Sequence, residues 1–189
     1  FASNAWTCGE QVHSNHVEIV HLEDKGRGSI DRSSAFQNTD GLLTNVPGIL
    51  LTSFYADCVP LYFVDMKKCV IGMAHSGWRG TVNQMGACMV RKMQEVYNSD
   101  PADIIACIGP SICQDCYEVS EDVAMQFAEV FPKEKVMRYG RMTEEGQKYQ
   151  LDLWKANALV LLEAGVQKDH IAMPEICTCC NPELLFSHR

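Results

Sequence analysis

The sequence lacks any run approaching the roughly 20 apolar residues that a bilayer-spanning helix needs, and a membrane is not expected as a partner. Its opening, Phe1 to Thr7, has no basic stretch followed by an apolar one, so it does not read as an export signal. There is no internal repeat, low-complexity tract or Pro/Gly/Ser linker, which argues against a solenoid or a string of domains. Positive charge is also short. The 16 Lys and Arg stand against 24 Asp and Glu, giving −8 and a pI of about 5.2. That balance repels nucleic-acid phosphates and anionic surfaces, so no nucleic acid is expected as a partner either. Histidine is scarce, with six residues in all. A soluble cytoplasmic enzyme with one domain over 1–189 is the expectation, as a monomer or homodimer.

What is present supports a folded core. The chain has 189 residues, of which 47% are hydrophobic and 21% charged. That is enough apolar surface to bury, and too little charge for general disorder. Cysteine is abundant, at positions 8, 58, 69, 88, 107, 113, 116, 177, 179 and 180. Without an export signal these read as reduced thiols, with Cys69, Cys88 and Cys107 as small buried hydrophobes.

Short apolar runs predict strands over Val17 to Val20, Ile49 to Phe54, Leu61 to Val64, Val70 to Ala74 and Ile104 to Ile108. Spacings of three and four predict helices through Val82, Met85, Met89, Met93 and Val96, through Val123, Phe127 and Val130, and over Trp154 to Ala164. Gly165 is a plausible stop for the last of these. Met85, Met89 and Met93 read as core, not as a copper-binding stripe. Glu23 to Asn38 is the longest candidate loop, and Thr39-Asp40-Gly41 reads as a turn. The order of elements fits a mixed-sheet α/β or α+β fold better than a doubly wound one.

Three segments carry candidate chemistry. In Val70 to Thr81 a strand ends on His75, a Gly77-Trp78-Arg79-Gly80 turn follows, and a helix is expected to open near Thr81. Backbone N–H groups there, with the Arg79 guanidinium, suit an anion. The plainer reading is a capped helix with a packed histidine. In Tyr55 to Pro60, Pro60 disfavours a continuing central strand, so Cys58 is expected at a break. Asp57 beside it would raise the thiol's pKa unless a cation compensates. In Cys8 to Val17, His13 and His16 precede a strand, in what is otherwise an ordinary solvated loop. Two imidazoles and a thiolate, from His13, Cys58 and His75, suit Zn²⁺ with an open fourth position. Without metal, the same residues would make a Cys–His nucleophilic pair. Spacing does not choose between the two.

Gln11-Val12-His13, Thr39-Asp40-Gly41-Leu42, Ala56-Asp57-Cys58-Val59-Pro60 and Ala74 to Gly80 together resemble the YfiH-type laccase-domain family. So do Ile108 to Ile112, Cys116-Tyr117-Glu118-Val119, Leu151-Asp152-Leu153 and Phe186-Ser187-His188-Arg189. The matches run in the family's order over nearly the whole chain. The resemblance implies a single mixed α/β domain, likened to the catalytic domain of a cytotoxic necrotising factor. It implies His13, Cys58 and His75 as metal ligands and catalytic residues, with zinc the usual ion and copper the historical label. It implies phosphorolysis of adenosine, inosine and methylthioadenosine, and deamination of adenosine. Purine nucleoside and phosphate are then the partners, with Arg79, Gly77, Thr81, Asp40, His188 and Arg189 as candidate binding residues. Family members carry further residues before Gln-Val-His and after the final arginine, so the chain is expected to lack part of the usual N-terminal segment and the extreme C-terminus.

Three other readings stand beside this one: a Cys–His hydrolase or amidase acting on peptidoglycan precursors, a polyphenol oxidase, and a non-catalytic metal-binding module. A multicopper oxidase needs about ten or more histidine ligands of the kind copper prefers, and six are present. Trp78 could stack on a purine or cover the core. Cys113-x-x-Cys116 and Cys177-x-x-Cys180 have the spacing of two halves of a structural Cys₄ zinc site. Reduced thiols packed near the site, with Cys179 as a spare, are the simpler reading.

Overall fold

The structure is a computed structural model and describes residues 6–189. The reading of Phe1 to Ala5 as part of a non-signal opening lies outside the described residues. In chain order the elements are β1 (Trp6–Cys8), β2 (Val17–Ile19), β3 (Gly41–Thr44), β4 (Leu50–Thr52), β5 (Val59–Asp65) and β6 (Val70–Ser76). Then come α1 (Trp78–Val82), α2 (Met85–Tyr97), β7 (Ile104–Ile108), β8 (Glu118–Val119), α3 (Glu121–Val130) and α4 (Lys133–Val136). They end with β9 (Met137–Thr143), β10 (Gly146–Leu151), α5 (Leu153–Glu163) and β11 (Ile171–Ala172). No helix among the described residues is long and apolar enough to cross a membrane.

The main sheet has six strands in the order β11-β7-β5-β6-β3-β2. It is mixed: the two outer pairs run parallel and the three inner pairs antiparallel. A second sheet, β8-β10-β9, and a parallel β1-β4 pair complete the fold. This is the mixed α/β arrangement that the irregular alternation of elements suggested. Met85, Met89 and Met93 of α2 are fully buried in the same core as Leu43, Leu61, Phe63 and Ala74 of the sheet. Each such side chain contributes about 1.5–3 kcal/mol by leaving water. Gly72 lets the helix settle onto β6, because a Cβ there would come within 2.9 Å of the Met89 methyl carbon. Gly165 ends α5 with φ +96, as its position suggested.

Strand direction places the site. β5 and β3 both run antiparallel to β6, so their starts meet its end, with Val59 opposite Ser76 and Gly41 opposite Ala74. β2 runs parallel to β3 and starts at the same edge. Cys58 therefore precedes β5, Asp40 precedes β3, His75 ends β6 and the His13 loop precedes β2, all at one end of the sheet.

Several expectations need correction. Pro60 does not break a strand; it is the second residue of the central strand β5. Its missing N–H falls beyond the β5–β7 register, which starts at Leu61, while its carbonyl still accepts from Gly109 N–H (2.8 Å). Cys58 nonetheless sits just outside the strand. The single helix expected to open near Thr81 is two: α1 opens at Trp78 after Gly77, and a left-handed Gln84 separates it from α2. Gly41, expected in a turn, is instead the first residue of β3. Cys69 is exposed in the β5–β6 turn and Cys88 and Cys107 are half-buried, so none is the buried hydrophobe expected. The β9–β10 hairpin escaped notice because its strands are mostly polar and largely exposed, with no apolar alternation to mark them.

Candidate functional site

Two loops bring His13 and Cys58 beneath the end of β6, and each is held in a conformation that its residues disfavour. His13 has φ 64 and Asp57, just before Cys58, has φ 81. Non-glycine residues in this region are strained and persist where their surroundings fix them. In both loops a buried carboxylate does so. Asp40 accepts backbone N–H bonds from Val12 (3.1 Å), His13 (3.1 Å) and Ser14 (2.8 Å), and the Ser14 hydroxyl (2.9 Å). Successive N–H groups turned onto one anion form a nest. Asp57 accepts from the Thr178 hydroxyl (2.7 Å) and the His188 N–H (2.7 Å). Its charge is thus engaged by the C-terminal segment, not by a cation beside Cys58.

Asp40 also accepts from His75 Nδ1, at 2.8 Å. Its side chain has no exposure and that of His75 only 5%. This bond fixes the imidazole ring and leaves Nε2 for whatever sits between the three ligands. The ligand atoms of His13, Cys58 and His75 lie within 4.8 Å of one another. Cys58 Sγ is 3.9 Å from His13 Nε2, and the His13 and His75 rings meet edge to face at 4.8 Å. Gly77 closes the floor: a Cβ there would stand 2.9 Å from Cys58 Sγ and 3.0 Å from His13 Cδ2. Two imidazoles and a thiol converging over a space that one methyl would fill fit a tetrahedral ion such as zinc, with one position open.

The two imidazoles are pushed apart in basicity. Burial opposes charge on His75, but the Asp40 carboxylate and Cys58 outweigh it and raise its pKa to about 9. Burial lowers that of His13, and the His75 charge lowers it further. Asp40 is held below the usual carboxylate range: burial opposes its ionisation, but the His75 and Ser14 donors prevail.

A testable consequence follows for the metal-free protein. A raised pKa stabilises the fold fully below the unfolded value near 6.5, and that contribution disappears as pH rises through about 9. Chelator-treated protein is therefore expected to lose melting temperature across this window by a step that His75→Gln removes. An identical slope in His75→Gln would refute it. Gly77→Ala gives a second test. The residue's φ of −66 suits alanine, so the substitution brings no backbone strain and only crowds the ligands. Zinc affinity, measured by chelator competition, is expected to fall at least ~10-fold with the fold intact, on the scale of other perturbations next to metal ligands. Unchanged affinity would remove Gly77 from the cradle.

These three side chains open onto a cleft of about 560 Å³, also lined by Gln11, Ile30, Arg32, Phe54, Tyr55 and His188. That volume lies in the range of small-molecule sites, about 300–1,000 Å³. Phe54 and Ile30 expose apolar surface on its rim. Gln11 fixes Phe54 by exchanging two hydrogen bonds with its backbone, at 2.8 and 2.9 Å.

The other expected binding residues divide. Arg79 is exposed, with its guanidinium 4.3 Å over the Trp78 ring, and close enough for its charge to bear on His13. Arg189 does not line this cleft. It lines a neighbouring cavity of about 310 Å³ with Trp78, Tyr117 and Lys148, and bonds the Glu118 carbonyl (3.0 Å). Trp78 is half-buried against the core. Thr81 cannot reach a ligand: it is fully buried, donating to the Gly77 carbonyl (2.9 Å) and accepting from Asn157 (3.0 Å). Asn157 also takes the Ser76 hydroxyl (2.9 Å), so this network anchors the Gly77 floor to α5. Asp40, likewise expected to bind substrate, is sealed behind His75 and positions it. His16 is turned away, 2.9 Å from Glu18.

Sequence reasoning missed Arg32, Ile30, Phe54 and Tyr55. Arg32 and Ile30 lie in the polar loop, where nothing marks one residue from another. Phe54 reads as the end of a strand, and Tyr55 only as the start of the break that leads to Cys58. Cys113, Cys116, Cys177 and Cys180 do come together, with all four sulfurs within 4.8 Å.

A His/Cys/His group on strained loops at one end of a mixed sheet, beside a small-molecule cleft, is an arrangement that could hold a metal ion and that fits an enzyme. The chain belongs to the family described as multi-copper polyphenol oxidoreductase laccase, whose model matches residues 1–189. It is 40% identical over 185 residues to the purine nucleoside phosphorylase YlmD of Bacillus subtilis, covering 98% of this chain and 66% of the relative. It is 42% identical over 189 residues to the purine nucleoside phosphorylase YlmD of Geobacillus stearothermophilus, covering 100% and 68%. The crystal structure of the Geobacillus YlmD superposes with a TM-score of 0.92 over 100% of this chain and 69% of that one. That of Bacillus licheniformis YfiH, at 33% identity, also gives 0.92, over 100% and 70%. The chain thus spans about two thirds of the length of these relatives.

Proposed function

We propose that this chain is the catalytic core of a zinc-dependent purine nucleoside phosphorylase. The observation that carries the proposal is the convergence of His13, Cys58 and His75 on one open position, with a buried carboxylate orienting His75 and a small-molecule cleft alongside. The names of the relatives, purine nucleoside phosphorylase, supply the reaction class. The family's oxidase name is not a good guide here, because of the six histidines only two join a ligand group among the described residues.

In phosphorolysis a phosphate oxygen forms a bond to the ribose C1′ as the bond to the purine nitrogen breaks. The electron pair leaves with the base, which takes up a proton. His13, Cys58 and His75 would hold a zinc ion, which when bound would supply Lewis acidity. Asp40 holds the His75 ring in register. Phe54 and Ile30 offer the base an apolar wall. Arg79 and Arg32 supply positive charge for phosphate, and His188 on the cleft wall is placed to carry the proton. Adenosine, inosine and methylthioadenosine share the purine and ribose that such a cleft would hold. Deamination of adenosine would use the same centre. A reducing, cytoplasmic setting suits a chain with so many free thiols.

Metal-loaded protein incubated with inosine or adenosine, with and without phosphate, tests this by chromatography of the products. Phosphate-dependent release of free base with a ribose 1-phosphate supports phosphorolysis. Release that does not depend on phosphate would make the chain a hydrolase instead. Inosine formed from adenosine would establish the deaminase activity.

A further inference from the structure

In the turn just after β7, and near the C-terminal end of the chain, four thiols meet that have no role in the cleft chemistry. Cys113 and Cys116 sit in the turn that follows β7; Cys177 and Cys180 sit in the segment after β11. Their sulfurs all lie within 4.8 Å of one another, and Cys116 Sγ is 3.5 Å from Cys180 Sγ. A regular tetrahedron with zinc–sulfur bonds of about 2.3 Å has edges of about 3.8 Å. The cluster therefore needs only a small contraction to close on an ion. The backbone already has the form that thiolates favour, since Cys113 N–H donates to Cys177 Sγ at 3.2 Å. Each pair is spaced C-x-x-C, and the two pairs come from different parts of the chain.

We propose that Cys113, Cys116, Cys177 and Cys180 bind a second, structural zinc ion that staples the C-terminal segment to the loop after β7. Four soft thiolates with no open position make a closed site, unlike the three-ligand centre. The staple has a definite load. A bridge pairs Ser111 with Cys177, and Thr178 N–H donates to the Ser111 carbonyl (3.2 Å). From the joined segments, Ile112 N–H donates to the Asp57 carbonyl (3.0 Å) and the Thr178 hydroxyl to its carboxylate. His188 N–H donates to the other carboxylate oxygen. Asp57 is the strained residue immediately before Cys58. The tetrathiolate thus fixes the loop that presents the Cys58 ligand and the His188 wall of the cleft, as a positioning element that does not touch substrate.

The test reads metal, not turnover, so its outcome is separate from that of the phosphorylase proposal. Full chain purified without chelator is assayed for zinc by elemental analysis, as wild type, as Cys58→Ala/His75→Ala, as Cys113→Ser/Cys177→Ser and as Cys69→Ser. Two equivalents are expected in wild type and Cys69→Ser, and one in Cys58→Ala/His75→Ala. Cobalt(II) loaded into that last variant is expected to give the intense thiolate charge-transfer and ligand-field bands of a tetrahedral tetrathiolate. Cys113→Ser/Cys177→Ser is expected to keep one equivalent of metal and to lose the tetrathiolate signature, retaining only the weaker bands of the single Cys58 thiolate, if it folds; the cobalt spectrum of Cys58→Ala/His75→Ala decides the matter if it does not. No zinc and no such spectrum in Cys58→Ala/His75→Ala would overturn the proposal. So would an intact mass lowered by four hydrogens, which would mean two disulfides in place of a metal site.

Discussion

Cys58→Ala is expected to strip the three-ligand centre of zinc and to lower kcat/KM for inosine phosphorolysis by more than ~10²-fold. Perturbing groups that merely support metal ligands costs about 10–100-fold in affinity or activity, and Cys58 is itself a ligand in the proposed site. It is also the only thiolate there, so its loss leaves two neutral imidazoles to hold a dication. The fold should survive. Cys58 lies just outside β5, half-buried, and its loop is fixed by Asp57 rather than by the thiol. Unchanged circular dichroism with lost zinc and lost turnover is the expected pattern. Retention of both zinc and turnover would take Cys58 out of the site.

Substitution at Asp40 has the other large effect, and its two obvious variants should differ. Asp40→Ala leaves the N–H groups of Val12, His13 and Ser14 without their acceptor, along with buried His75. A buried donor left unpaired costs about 1–3 kcal/mol. Only His75 bears that cost in full, because Val12 and His13 are exposed and Ser14 half-buried, so the loss is a part of the roughly 5–15 kcal/mol of an ordinary domain. Asp40→Ala is therefore expected to melt well below wild type. Asp40→Asn keeps the shape and one acceptor oxygen but loses the charge. It should fold, lose about 10–100-fold in zinc affinity, and release the raised pKa of His75 toward its ordinary value. Thermal melts, with NMR titration of the His75 ring, separate these outcomes. Two equally stable variants would mean that Asp40 neither supports the His13 turn nor orients His75.

Much of this was legible in the residues. The central strands follow from their apolar runs, and β7 was bounded as observed, at Ile104 to Ile108. The helical spacing of Met85, Met89 and Met93 found the buried face of α2. Cys58 and His75 stand out because each lies where a strand starts or ends, close to acidic, proline or glycine residues, whereas His13 reads as part of a solvated loop and gains meaning only from the family resemblance. What does not show is how strands pair. Only antiparallel pairing of β5 and β3 with β6 reveals that Asp40 backs His75 while Thr81 is sealed in the core. A carboxylate that grips three backbone N–H groups has no signature in one dimension, so Asp40 read as a turn. Pro60 misled because an absent N–H excludes a central strand only where the neighbouring register would have used it. The cysteine pairs showed their spacing but not their meeting, since 60 residues lie between Cys116 and Cys177 in the sequence and only the fold joins them.

The most direct measurement is phosphate-dependent base release from inosine by one preparation of the chain, first stripped of metal and then reloaded with zinc. Activity that disappears on stripping, returns on addition of zinc and fails to return in Cys58→Ala is the predicted result. Undiminished phosphorolysis by the stripped protein would contradict a zinc centre at His13, Cys58 and His75. A folded, zinc-loaded wild type that releases no base would contradict the phosphorylase assignment itself.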